Sequence, residues 1–399
     1  MSTVAVICEY NPFHSGHLYH FRRIREDFGE NTSIVAIMSG NFTQRGEPAI
    51  APKSYRAAAA LDCGANLVLE LPFPYSSSSA ELFATAGVMI ADKLGFVDYL
   101  SFGSENGDVD ALKKAAEITA SEEFRLAFAS LSDNKAMGYP ERYEAAYNQV
   151  SNDSIAFTPN NILAIEYIRA LNRIGSSIKP HTVTRCGAGY NTEELTGTVH
   201  PSAMAIRSAL GGGNTDIVDI LPQGSKSHFE RALLNGDFPT SEKLISSAII
   251  SYLRLSPDSP SEIYHDAGDG LYNRLRSASF EANDISSLLE LSAAKIYTNA
   301  RLRRTMWSIF LGVTSSDVKS SPEYTQVLAL DTAGMTLLKS RRKRDDFFVL
   351  TKPSDTKGFS DAALRQKLLS DKADSVYELT KPSPKSGKSI LRFTPYVKK

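Results

Sequence analysis

The chain has 399 residues, 42% of them hydrophobic and 22% charged, a globular balance that excludes a largely disordered, collagen-like or membrane-embedded protein. At this length two domains are expected, with room for a smaller third piece. The net charge of −1 conceals an asymmetry: residues 301–399 carry 20 Lys and Arg against 10 Asp and Glu, so this segment is basic and the remainder acidic.

Thr3–Ile7 is apolar throughout and predicts a buried strand, followed by a loop from Cys8 to Ser15 and a helix from Gly16 to Phe28. Ser33–Met38 predicts a second strand, Pro52–Asp62 a helix with an alanine-rich face, and Leu67–Leu71 a third strand, stopped by Pro72 and Pro74. A helix over Ser79–Leu94, a strand over Tyr99–Phe102, a helix over Asn161–Arg173 capped from Thr158, a fifth strand over Ile178–Thr184 and a short helix over Ser202–Leu210 complete the pattern. Strands without a polar face, alternating with helices, indicate a doubly wound parallel sheet. Gly211-Gly212-Gly213 looks like a hinge, residues 242–314 have helical periodicity, and a mixed basic segment follows. The division expected is therefore 1–210, 211–320 and 321–399. No apolar run approaches the ~18 residues of a spanning helix. The N-terminus lacks a basic start, which speaks against a secretory signal. Three scattered cysteines without C-x-x-C give neither a disulfide framework nor a cysteine-rich zinc site, and a cytoplasmic location is expected.

Ligands of such sheets sit beyond the carboxyl ends of the strands, so the exit of the first strand is the place to look for chemistry. It reads Glu9-Tyr10-Asn11-Pro12-Phe13-His14-Ser15-Gly16-His17. In H-x-G-H between strand and helix, the glycine allows close backbone approach to a triphosphate. The helix points its positive end at the phosphates, and two imidazoles stabilise the charge of a pentacoordinate α-phosphorus. The competing readings are surface histidines at a helix cap, or two zinc ligands. Gly40–Pro48 offers polar groups for a small anion pocket, or is a plain loop. Gly103 would let a base or ribose lie against backbone, and Ser202 with Arg207 would clamp a second phosphate. Gly387-Lys388-Ser389 is no P-loop, because Pro382 stands where glycine is required.

The set Glu9–His17, Gly40–Pro48, Phe102–Glu105, Pro159–Leu163 and Arg185–Tyr190 resembles the bacterial tRNA(Met) cytidine acetate ligases, of the H-x-G-H nucleotidylyltransferase superfamily. The resemblance spans residues 1 to about 210 in family order. Cys8 replaces an aliphatic residue, and Met204 a threonine common in the superfamily. The resemblance implies a Rossmann-like nucleotidylyltransferase domain that makes acetyl-adenylate and pyrophosphate from ATP and acetate. The acetyl group then passes to the exocyclic amine of the wobble cytidine of elongator tRNA(Met). It implies catalytic roles for His14 and His17, and ATP contacts from Ile7, Cys8, Glu9, Asn11, Pro12, Phe13, His14, Gly16, His17, His20, Gly103, Asn160, Arg185 and Cys186. Asn161 is the neighbouring alternative to Asn160. Mg²⁺ is expected with the ATP, and no metal site in the protein itself. The basic run Lys339, Arg341, Arg342, Lys343 and Arg344 is the expected tRNA contact, since neutralised phosphates release counterions, although a solvated helix surface would look the same. Two other readings stay open: a nucleotidylyltransferase of cofactor biosynthesis acting on a small phosphorylated metabolite, and a non-catalytic RNA-binding protein with a relict nucleotide domain.

Overall fold

The computed structural model describes residues 2–105, 107–131, 137–153, 155–185, 202–258, 264–341 and 344–398. Its strands are β1 (Thr3–Cys8), β2 (Ser33–Ser39), β3 (Leu67–Leu71), β4 (Tyr99–Ser104), β5 (Lys179–Thr184), β6 (Tyr324–Leu330), β7 (Phe348–Leu350) and β8 (Tyr396–Val397). They form one sheet in the order β5-β4-β1-β2-β3-β6-β7, with β8 beside β6. The first five strands are mutually parallel, and strand order reverses between β1 and β4.

Helices connect the strands: α1 (Ser15–Phe28), α2 (Lys53–Asp62), α3 (Ala80–Leu94), α4 (Val109–Ala120), α5 (Glu122–Ser130), α6 (Tyr139–Val150) and α7 (Pro159–Ile174). Alternate side chains of one strand feed opposite cores. Ala5 and Ile7 of β1 pack with Val35 and Ile37 of β2 against α3, α4 and α7. Val4, Val6, Ile34 and Ala36 pack on the other side against α1 and α2. Because both faces are covered, β1 and β2 carry no polar stripe, whereas the edge strand β5 is polar and partly exposed. Local signals set the helix ends. Thr158 accepts from the Asn161 amide at the start of α7, with Pro159 in the first turn, and Gly175 ends the helix in the left-handed region.

Beyond 202 come α8 (Ala203–Gly211), α9 (Gln223–Leu234), α10 (Ser246–Leu255), α11 (Leu271–Ser279), α12 (Ile285–Ser292), α13 (Asn299–Leu311), α14 (Thr332–Ser340) and α15 (Asp361–Tyr377). Side chains of α8 and α9 complete the core over α1 and α2. A third core joins α10–α13 to α15. Among the described residues no helix is long and apolar enough to cross a membrane.

The basic segment holds more regular structure than its charge suggests. β6 is buried throughout and pairs antiparallel with β3, Leu67 facing Leu330. β7 starts beside Tyr324, at the edge where β1–β5 end. Arg341 and residues 344–347 therefore lie on the carboxyl edge of the parallel strands, four strand spacings from β1, or about 19 Å. Many cations of this half meet anions of the acidic half: Arg304 with Asp266 at 3.0 Å, Lys385 with Asp237 at 2.8 Å, Lys398 with Asp62 at 3.1 Å, and Arg303 with Glu242. Part of the charge asymmetry is thus internal complementarity.

Candidate active site

The chain leaves β1 at Cys8 and enters α1 through His14, whose extended backbone makes it the helix N-cap. The His14 Nδ1 accepts from the Gly16 amide at 3.0 Å, and the His14 amide donates to the His17 Nδ1 at 3.2 Å. Two imidazoles thus build a capping box normally made by hydroxyl and carboxyl groups. Their centroids are 3.8 Å apart with 30° between the planes. Because each Nδ1 serves as an acceptor, the proton of each neutral ring sits on Nε2. Both histidines therefore carry an Nε2–H donor at the positive end of α1.

Gly16 has a local reason beside the one read in the sequence. A Cβ there would lie 2.9 Å from the His14 Cε1, so the missing side chain makes room for the capping imidazole. Phe13 is fully buried between Tyr10 and Phe21, at 4.8 and 5.5 Å between centroids. It anchors the turn and, like Pro12 and Gly16, does not line the cleft beside the histidines.

That cleft, of about 230 Å³, opens where strand order reverses. Ile7, Cys8, Glu9 and Asn11 line it from the exit of β1, and His14, His17 and His20 from α1. Gly103 comes from β4, Asn160 from α7, Arg185 from the end of β5, and Ser202 and Arg207 from the start of α8. Cys186 lies outside the described residues. Sequence reasoning missed Phe83 and Tyr167, which line the cleft from positions that read as ordinary core, while Tyr10 and Leu163 line it from within the motifs Glu9–His17 and Pro159–Leu163. It also left Gln44 and Arg45 unsingled within the Gly40–Pro48 loop, both of which reach the cleft.

The neighbouring asparagines separate cleanly. Asn161 is buried, accepting from the Glu105 amide and donating to the Ala156 carbonyl. Asn160 lines the cleft, donates to Glu105 Oε1 at 2.6 Å and accepts from Arg185 at 3.4 Å. Glu105 thereby orients Asn160 and, through it, Arg185. The Arg185 stem lies over Gly103, where a Cβ would meet its Cγ at 3.2 Å. Ser202 caps α8, and Arg207 donates to the Asn11 carbonyl at 2.9 Å.

The rest of the Gly40–Pro48 loop is scaffold. Gly40 clears the Glu70 carboxylate, which a Cβ would approach to 2.4 Å. Asn41 accepts from the Lys53 amide and donates to Asp374. The Lys53 ammonium, buried, bridges Glu70 at 2.7 Å and Asp374 at 2.6 Å. Arg56, fully buried, donates to the Glu9, Ser39 and Ala51 carbonyls and so ties the exits of β1 and β2 together.

Of the expected tRNA contacts, Lys339 is exposed at the end of α14. Arg341 donates to the Phe347 carbonyl, and Arg344 pairs with Asp346. Arg342 and Lys343 lie outside the described residues. Among the described residues no cluster of three metal-binding side chains occurs.

Burial, reinforced by His14 and Arg185, holds the His17 pKa well below the ordinary histidine value. Burial, with His181 and Arg185 nearby, pulls His20 down to about 3. The folded chain thus keeps both rings neutral where the unfolded chain takes up protons, from about pH 6.5 downward. Each such ring is expected to remove up to ~1.4 kcal/mol of stability per pH unit below 6.5, until the folded form also titrates. Urea midpoints measured from pH 7.5 to 4.5 should fall steadily, and more shallowly in His20→Gln. Equal slopes for the two proteins would contradict the assignment.

The profile of the HIGH Nucleotidyl Transferase family matches residues 1–389. The tRNA(Met) cytidine acetate ligase of Acetivibrio thermocellus is 36% identical over 99% of both chains. The chain belongs to the tRNA(Met) cytidine acetate ligase family of HIGH nucleotidyl transferases. A ligase of the same name from Clostridium perfringens is 33% identical over 98% of both chains. Among solved structures, Thermotoga maritima TmcAL bound with alpha-thio ATP superposes with a TM-score of 0.88 at 28% identity, covering 100% of this enzyme and 99% of that chain. The apo form of that protein gives 0.91 at 29% identity, with the same coverage.

Proposed function

We propose that this ligase joins acetate to ATP as acetyl-adenylate, releasing pyrophosphate, and then acetylates the exocyclic amine of the wobble cytidine in elongator tRNA(Met). The observation that carries the first step is the histidine capping box, two Nε2–H donors side by side at the start of α1 in the switch-point cleft. Acetate is already ionised and needs no base. Its oxygen bonds the α-phosphorus as the bond to the β-phosphate oxygen breaks, and the work of the site is alignment and charge stabilisation. His14 and His17 donate to the phosphate oxygens that gain charge. Arg185, oriented through Asn160, and Arg207 supply positive charge around them. Mg²⁺ carried by the nucleotide would neutralise part of the phosphate charge; among the described residues no cluster of three metal-binding side chains would hold it on the protein. In the second step the cytidine nitrogen attacks the acetyl carbon, AMP leaves and the amine loses a proton. A single-stranded anticodon loop makes presentation of the base inexpensive. Lys339, Arg341, Arg342, Lys343 and Arg344 would contact tRNA phosphates; the place of Arg341 and Arg344 on the same sheet edge as the cleft supports this reading.

Incubation with acetate, ATP and tRNA, followed by nucleoside mass analysis, is expected to give cytidine heavier by one acetyl group, dependent on ATP. Pyrophosphate release that ignores acetate and requires a phosphorylated metabolite would overturn the proposal.

A further inference from the structure

One histidine of the cleft is wired differently from the other two. The His20 Nε2 lies 2.8 Å from the Ser101 hydroxyl, which lies 3.0 Å from the His181 Nδ1. The His181 Nε2 lies 3.2 Å from the Asp27 carboxylate. The four residues come from α1, β4 and β5, and Ser101 is fully buried between the imidazoles. The chain runs from the cleft wall to the partly exposed Asp27.

The far end fixes every proton along it. A carboxylate only accepts, so the His181 Nε2 carries hydrogen. In a neutral ring its Nδ1 is then a bare lone pair, and the Ser101 hydroxyl donates to it. Having spent its hydrogen there, the Ser101 oxygen accepts from His20, which must carry hydrogen on Nε2. The remaining His20 nitrogen, Nδ1, is a lone pair. It has no partner among the described residues and is not one of the enclosed polar atoms left without one. Burial lowers the His181 pKa, opposed by Asp27 and assisted by Arg23, so the neutral ring is favoured. The Phe28 ring packs edge-on against His181 at 4.8 Å between centroids, adding no charge.

We infer that Asp27, His181 and Ser101 lock His20 as a hydrogen-bond acceptor toward the nucleoside half of the nucleotide, opposite in polarity to His14 and His17. This rests on the nucleotide reading above. The inference follows from ligand chemistry. Ionised phosphate oxygens carry no hydrogen and repel a lone pair, whereas the ribose hydroxyls and the adenine amine can donate to one. Ser101, His181 and Asp27 are positioning residues, and His20 is the selector between the two ends of the substrate.

The test uses the full chain labelled with ¹⁵N-histidine, with His20 assigned by its loss in His20→Gln. At pH 7.5 the His20 nitrogens are expected to show hydrogen on Nε2 alone. In the surface variant Asp27→Ala, which leaves the core intact, they should show both tautomers. Calorimetry with ATP and with inorganic triphosphate gives the second readout. His20→Ala and Ser101→Ala should weaken ATP binding about three- to tenfold, the worth of one hydrogen bond, and leave triphosphate unchanged; Ser101→Thr, which keeps the hydroxyl, should retain wild-type affinity. Hydrogen on Nδ1 in the wild type, or a triphosphate loss matching the ATP loss, overturns the inference. Wild type that binds neither ligand would instead sink the nucleotide reading, while the tautomer measurement would still decide the lock.

Discussion

Replacing His17 by alanine is expected to lower acetyl-adenylate formation by about 10²–10³, the usual cost of deleting one preorganised donor to developing charge. The reason is its tautomer. Burial keeps the ring neutral, and the His14 amide occupies Nδ1, so Nε2–H can only donate. ATP affinity should change less than the rate, because the donor gains most as charge builds on the phosphates. The variant also loses half of the capping box, worth about 1 kcal/mol at the start of α1, so a melting curve should accompany the kinetics. Acetate-dependent pyrophosphate release measures the rate. A fall of less than tenfold would remove His17 from the chemistry.

The second large effect lies outside the cleft. Lys53→Met should destabilise the fold by about 3–5 kcal/mol, because Glu70 and Asp374 would remain buried as neighbouring carboxylates without a cation. The urea midpoint should drop, and the deficit should shrink on acidification. Without the ammonium, the folded state gains from taking up a proton that relieves the repulsion between the two buried carboxylates, so the variant gains on wild type as pH falls. Replacing all three residues by apolar side chains of similar size should recover most of the loss. A single variant as stable as wild type at pH 8 would show that the triad contributes little.

The parallel half of the fold was legible because its signals are local. Strands apolar on both faces, capped helices and H-x-G-H between β1 and α1 can each be read within a dozen residues. Helices α4–α6 were not read, being short and set by packing that no local pattern shows: α4 lies on α7, while α5 and α6 pack against each other and α4. β6 was overlooked because charges before and after it dominated the reading, although Tyr324–Leu330 holds an apolar core. At the site, sequence named residues but not their bonds. No spacing rule connects Ser101 to His181, or Asn41 to Asp374, because those pairs exist only once distant segments pack. Gly16 shows the converse: the residue was singled out, but the room it leaves for the His14 ring could not be read from its spacing.

The partner of β3 arrives late. During synthesis Leu67–Leu71 emerges long before Tyr324, and until then its outer edge has no neighbour on that side, while Lys53 waits for Asp374. The nucleotide-binding half therefore lacks two of its own contacts until those later residues are made. That edge stays open until Leu330 has been synthesised, a topology that slows folding and invites strand-to-strand aggregation of incomplete chains.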